Sequence, residues 1–146
     1  MLLDAWDSTD PIFSEQIRFL GSGQLLTADN QFRYRSFFSQ TDHYYESESH
    51  LFVHAGFDFN VSDPFVNIER MLMIREFEYH SAKAHDKTIV RGHFPMKLSE
   101  IENQIERKAK IVSLDNGCVY PEREDMGNLI AFEVKSNQLI KQKNRD

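Results

Sequence analysis

The sequence predicts a mixed α/β domain, with a sheet of about five strands and two or three helices. Three observations carry that expectation. Short β-branched and aromatic runs (LFV, TIV, KIV and NLIAFEV) recur along the chain, bounded by polar and turn-forming residues. Segments with apolar residues at helical spacing lie between several of these runs. The 146 residues are 40% hydrophobic and 27% charged, a mixture that can bury a core.

In chain order, residues 10–20 (DPIFSEQIRFL) predict the first helix. Asp10 suits its N-cap and Pro11 its first helical position. Phe13, Ile17 and Leu20 share one face, and Gly21 to Gly23 form the exit. Residues 34–38 are aromatic and of no clear class. HYYES and HLFVHA, around the polar Ser47, Glu48 and Ser49, predict a hairpin. Ser62, Asp63 and Pro64 open a second expected helix, with Phe65, Ile68 and Leu72 at helical spacing and MLMIRE at 71–76. KTIVRGHFP, residues 87–95, predicts a strand ending on Gly92-His93. Residues 98–106 predict a short helix capped by Ser99, with Glu102 completing a capping box. Residues 110–117 predict a strand ending in a turn, residues 128–134 another, and residues 138–140 an extension of the sheet. No repeat, low-complexity tract or linker divides the chain, so one domain, 1–146, is expected.

Charge and composition exclude several classes. A net charge of −6 argues against general affinity for duplex nucleic acid, leaving a local basic pocket open. The single cysteine, Cys118, excludes an internal disulfide framework. No apolar run is long enough to cross a bilayer, and MLLDAWDSTD lacks the basic start of a signal peptide. A cytoplasmic protein is the expectation.

Two strands share one feature: each ends in a histidine near a glycine, His54 in LFVHAG and His93 in TIVRGH. A ligand at a strand's C-terminal end sits on a rigid element and faces a loop that can admit a substrate. Neutral imidazole suits zinc, manganese or iron, and glycine permits the sharp turn and close approach such a site needs. The competing reading of each histidine is a hydrogen-bonded structural residue. His43, His50, His80 and His85 lie in polar or turn contexts and read as surface residues. Arg75 closes the apolar run MLMI. Its guanidinium either faces a cleft, where its planar fork suits a tetrahedral oxyanion, or pairs with Glu76 or Glu78. Asp115-Asn116-Gly117 is a turn by composition, with a ligand role for Asp115 the lesser reading. Alternation points Arg91 away from Val90 and assigns it no function.

LFVHAG, MLMIRE, TIVRGHFP, IVSLDNGCVY and GNLIAFEV, in this order over residues 51–134, resemble the C-terminal half of calcineurin-like metallophosphoesterases. The branch they resemble is that of phosphoprotein phosphatases, which holds bacterial serine/threonine phosphatases and symmetrical diadenosine tetraphosphatases. That resemblance implies half of a four-layer αββα sandwich. It implies that His54 and His93 are ligands of the second metal of a two-metal centre, and that Arg75 binds the substrate phosphate. Met73 stands where the family often has tryptophan, Phe94 where it has threonine, and Pro95 where more distant members carry a second histidine. The implied cofactors are divalent ions, manganese first, with iron, zinc or nickel as alternatives. The implied substrates are phosphorylated proteins or nucleotides, cleaved by a metal-bridging hydroxide.

The family's GDxHG, GDxxDRG and GNHE segments, which supply the first metal's ligands, the bridging aspartate and the general acid, are absent from this sequence. In the family an apolar segment resembling MLLDAW follows GNHE. The chain is therefore expected to be a partial metallophosphoesterase domain, inactive alone, that associates with the missing half or with itself. An exposed apolar sheet face would accompany that state. Two other readings stand beside it: a non-catalytic binding or regulatory remnant of the same fold, and a simple metal-binding protein using its surplus histidines.

Overall fold

The computed structural model describes residues 36–145. The helix expected over residues 10–20 and its glycine exit lie outside the described residues. The chain divides into two compact units, Met1–Asp42 and His43–Asp146. In the first, residues 36–38 are helical, closed by the Gln40 N–H on the Phe37 carbonyl at 3.1 Å. All the strands described below belong to the second unit.

Strands β1 (Tyr44–Glu46) and β2 (His50–Val53) form the expected hairpin, antiparallel, with Tyr44 opposite Val53. Ser47 closes the turn: its hydroxyl accepts the His50 N–H at 3.0 Å, and its own N–H donates to the His50 carbonyl at 2.9 Å. β2 pairs in parallel with β3 (Thr88–Arg91), and β3 in parallel with β4 (Ile111–Ser113), giving the order β1-β2-β3-β4. Parallel neighbours need long crossovers. Helices α1 (Ile68–Met73) and α2 (Leu98–Glu106) lie within them.

The register sorts side chains by face. Leu51, Ile89 and Ile111 align across the sheet, as do Val53, Arg91 and Ser113. Phe52, Val90 and Val112 take the opposite face. Leu51 and Ile89 are fully buried and Val90 and Val112 nearly so, so the parallel strands are covered on both sides, as such strands require, and do not present the exposed apolar face expected of a half-sandwich. On the first face Leu51, Val53 and Ile89 pack with Phe57, Phe59, Met71 and Ala84. Each such large apolar side chain contributes about 1.5–3 kcal/mol by leaving water.

Three expectations need correction. The second helix begins at Ile68 rather than beside Pro64. Asp63 accepts the Phe65 N–H at 2.9 Å, a local turn that competes with helix, and Asn67 becomes the cap by accepting the Arg70 N–H at 3.2 Å. Phe65 instead packs on Tyr44 and Phe57, with ring centroids 5.0 and 5.2 Å away. Helix α2 has the expected bounds but no capping box. The carboxylate of Asp125 accepts both the Ser99 N–H at 2.9 Å and the Ser99 hydroxyl at 2.5 Å, while Glu102 pairs with Lys141 at 2.7 Å. Finally, β5 (Asn128–Glu133) does not join the main sheet. It pairs antiparallel with β6 (Gln138–Lys143) in a separate two-stranded sheet. A short turn closes that hairpin at little entropic cost, with Glu133 accepting the backbone N–H groups of Lys135 and Ser136.

Among the described residues no helix is long and apolar enough to cross a membrane.

Candidate functional site

His54 follows β2 directly, and His93 follows β3 after Gly92. Because the two strands are parallel neighbours, with Val53 beside Arg91, their ends emerge side by side. The Gly92 N–H bonds the His54 carbonyl at 2.9 Å and extends the pairing past the strands. His54 Nε2 and His93 Nδ1 lie 3.2 Å apart, with ring centroids at 4.9 Å.

That separation suits two arrangements. Opposite tautomers form a direct N–H···N hydrogen bond. Alternatively, two imidazole nitrogens each about 2.1 Å from one ion stand about 3.0–3.4 Å apart at octahedral to tetrahedral angles. The nitrogen separation is therefore one that two ligands of a single ion would also show. Partial burial lowers the His54 pKa below 6.5; the neighbouring His93 acts in the same direction and the Asp115 carboxylate against it. Neutral imidazole is the ligand form. Among the described residues no group of three or more His, Cys, Asp or Glu side chains could hold a metal, so this pair supplies two donors.

The backbone around the pair departs from expectation in one respect. His93 itself takes the left-handed conformation, with φ 65°. Gly92 does not, and a Cβ there would meet nothing nearer than the His54 carbonyl at 3.6 Å. A left-handed histidine costs about 1–2 kcal/mol, and His85, Asp86, Lys108, Asp125 and Asn137 share the conformation. At the other strand end the glycine is required: a Cβ on Gly56 would lie 2.1 Å from the Phe77 ring.

Arg75 follows α1, whose C-cap Ile74 turns extended with ψ 130°. The Arg75 side chain is exposed and forms no ion pair among the described residues, so the alternative bridge to Glu76 or Glu78 is not made. Its backbone is tied to the histidine loop. The Arg75 carbonyl accepts Arg91 Nη1 at 2.7 Å, and the Ala55 carbonyl accepts the same nitrogen at 3.1 Å. The Ala55 N–H in turn bonds the Met71 carbonyl of α1 at 2.8 Å. Arg75 and His54 thus leave from loops stitched to one another.

Arg91 is the residue that pattern reasoning left unassigned. It is 8% exposed; its Nε donates to Ser113 Oγ at 3.3 Å. Phe77 and Phe94 both lie against the guanidinium, at 5.2 and 5.3 Å. Burial pulls its pKa down and the Glu76 carboxylate opposes that. The available signal was its place on the face opposite Val90 in a strand with no adjacent carboxylate.

Asp115 serves the turn, accepting the Gly117 N–H at 2.9 Å, and its charge reaches His54. His50, expected at the surface, is half-buried and bonds Ser49 at 2.8 Å, whereas exposed His85 bonds Glu46 at 2.9 Å. An open cleft of about 570 Å³, lined by Phe59, Asn60, Glu76, Phe77, Glu78, Tyr79 and His80, begins one residue beyond Arg75. No protein-family model, curated protein or solved structure matches the chain.

Proposed function

We propose that this chain supplies one half of a dinuclear metallophosphoesterase centre of the phosphoprotein phosphatase type. The observation that carries this reading is the 3.2 Å approach of His54 and His93 at adjacent parallel strand ends. The exposed Arg75, on a loop bonded to that of His54, adds to it. On this reading the four-stranded sheet is part of a four-layer αββα sandwich, and the histidines hold the second metal, manganese, iron, zinc or nickel.

A divalent ion held by His54 and His93 would supply Lewis acidity toward water and the phosphoryl oxygens. The chain's own residues do the rest of its share. His54 stays neutral near pH 7 and so keeps a lone pair for a metal. Arg75 offers a fixed fork of N–H donors to the phosphoryl oxygens of a phosphorylated protein or nucleotide. No bridging carboxylate accompanies them among the described residues, so turnover needs a partner bearing the GDxHG, GDxxDRG and GNHE segments.

The test is hydrolysis of para-nitrophenyl phosphate with manganese, with and without a polypeptide carrying those segments. We expect no turnover by the chain alone and turnover with the complement. His54→Ala should abolish it, and Arg75→Ala should lower kcat by about 10²–10³. Complemented turnover indifferent to His54→Ala would overturn the reading. Absence of turnover even with the complement would favour a second one, a non-catalytic binding or regulatory remnant. The two-donor limit among the described residues is the observation behind that alternative.

A further inference from the structure

We propose that Arg91 is the positioning residue of this site, setting the separation of the His54 and His93 imidazoles without touching what they bind. The inference rests on the metal-site reading above and extends it to a residue outside the donor set.

Every side chain of the site has a partner of Arg91 within two residues. Ala55, whose carbonyl accepts Nη1 at 3.1 Å, is the peptide neighbour of His54. Arg75 offers its own carbonyl to the same nitrogen at 2.7 Å. Phe94, against the guanidinium at 5.3 Å, follows His93. Phe77, at 5.2 Å, lies two residues after Arg75. The bond from Nε to Ser113 Oγ anchors the group to β4. The Arg91 carbonyl receives the Leu114 N–H at 2.6 Å, one residue before the Asp115 carboxylate that acts on His54.

This work needs the shape of arginine. Two loop carbonyls, one strand hydroxyl and two aromatic rings surround a single planar group. Lysine would keep the charge but present one point of donors and no flat faces. No carboxylate pairs with Arg91 among the described residues, so its hydrogen bonds all go to neutral oxygens of elements that carry or flank the site. The strained His93 backbone adds to the need, since such a conformation persists only when its surroundings fix it.

The test compares the full-length chain with Arg91→Lys and Ser113→Ala. Two measurements are made: the nuclear Overhauser effect between the His54 and His93 ring protons without metal, and cobalt(II) binding followed by visible absorption. We expect Arg91→Lys to lose the ring–ring effect and to bind cobalt at least about tenfold more weakly, the scale seen when groups orienting metal ligands are removed. Ser113→Ala should weaken cobalt by about threefold, the loss of one modest hydrogen bond. A folded Arg91→Lys protein with wild-type ring contact and cobalt affinity overturns the proposal, because a purely structural arginine would lower Tm alone. If Arg91→Lys does not fold, Ser113→Ala decides on the same criteria. Loss of the ring contact in a chain whose wild type binds no cobalt would sink the metal reading and leave the positioning role standing.

Discussion

Asn116 commits its whole side-chain amide to the interior. The residue is 1% exposed. Its Nδ2 donates to the Met96 and Asp125 carbonyls at 3.0 and 2.9 Å. Its Oδ1 accepts the Asn128 N–H at 3.0 Å and the Asn128 side-chain amide at 2.6 Å. One side chain thus joins the loop after His93, the residue that holds Ser99 in the first turn of α2, and the first residue of β5. Asn116→Asp keeps the size and replaces the donor with an oxygen facing two carbonyls. Burying that charge without its bonds should cost on the order of 3 kcal/mol, read as a lower midpoint in urea at pH 7. A variant within 0.5 kcal/mol of wild type (about the spread of an ordinary surface change) would show that the knot is not formed. His93 gives the opposite kind of test. Asparagine tolerates the left-handed conformation and valine does not. His93→Asn should therefore match or exceed wild-type stability while losing the imidazole, whereas His93→Val should lose about 1–2 kcal/mol. Equal stability of the two variants would mean that the backbone there is not left-handed.

At the scale of elements, α1 owes its start to one side chain. It has six residues, and Asn67 accepts the N–H of Arg70. A helix this short has little stability of its own, so its cap and its contacts with the β2 end decide its place. Asn67→Ala should cost about 1 kcal/mol. Hydrogen exchange should also quicken at the Ala55 amide, which bonds the Met71 carbonyl. Unchanged exchange there would separate α1 from the histidine loop. The same elements show what the sequence made legible. The hairpin, the strands carrying His54 and His93, and the bounds of α2 rest on local patterns, and they appear where the patterns lie. The start of α1 was misplaced because Asp63 forms a turn that satisfies the same signals as a cap. The α2 cap was misassigned because the cap is Lys97, which makes no side-chain capping bond, and Ser99 inside the first turn is held by Asp125 from 26 residues downstream. The separation of β5 from the main sheet depends on which edge it meets, a long-range choice that alternation does not encode. The histidine pairing needed β2 and β3 to be neighbours, which a spacing of 39 residues does not reveal. Arg91 was legible only as a cation on the face opposite Val90, since its partners come from four separate segments.

Across the whole molecule, acid should act in two separate pH windows. His50 and His54 both have pKa values lowered from 6.5, with burial the first cause in each. Above pH 6.5 both histidines are neutral folded and unfolded, and this contribution to stability is complete. Below it the unfolded chain takes up protons before the folded one, so stability falls as pH drops through the folded values. The carboxylates act lower. Glu46 and Glu133 are held below 4.5, Glu46 chiefly by Lys87 and His85 and Glu133 by Ser136 and Lys135. Ser99 holds Asp125 below 3.8. Their contributions are full above those ordinary values and fade only as pH falls further. Denaturant midpoints of the metal-free chain should therefore begin to drop just below pH 6.5, with a second drop below pH 4.5. His50→Phe isolates part of the first step. It removes a titrating group while keeping a ring against Phe52 and Phe132, which lie 5.9 and 6.4 Å from the imidazole. The variant should lose less stability than wild type between pH 7 and pH 5 and match it in the lower window. An unchanged upper slope would mean that His50 takes up its proton equally easily folded and unfolded, and that burial at the start of β2 does not restrain it.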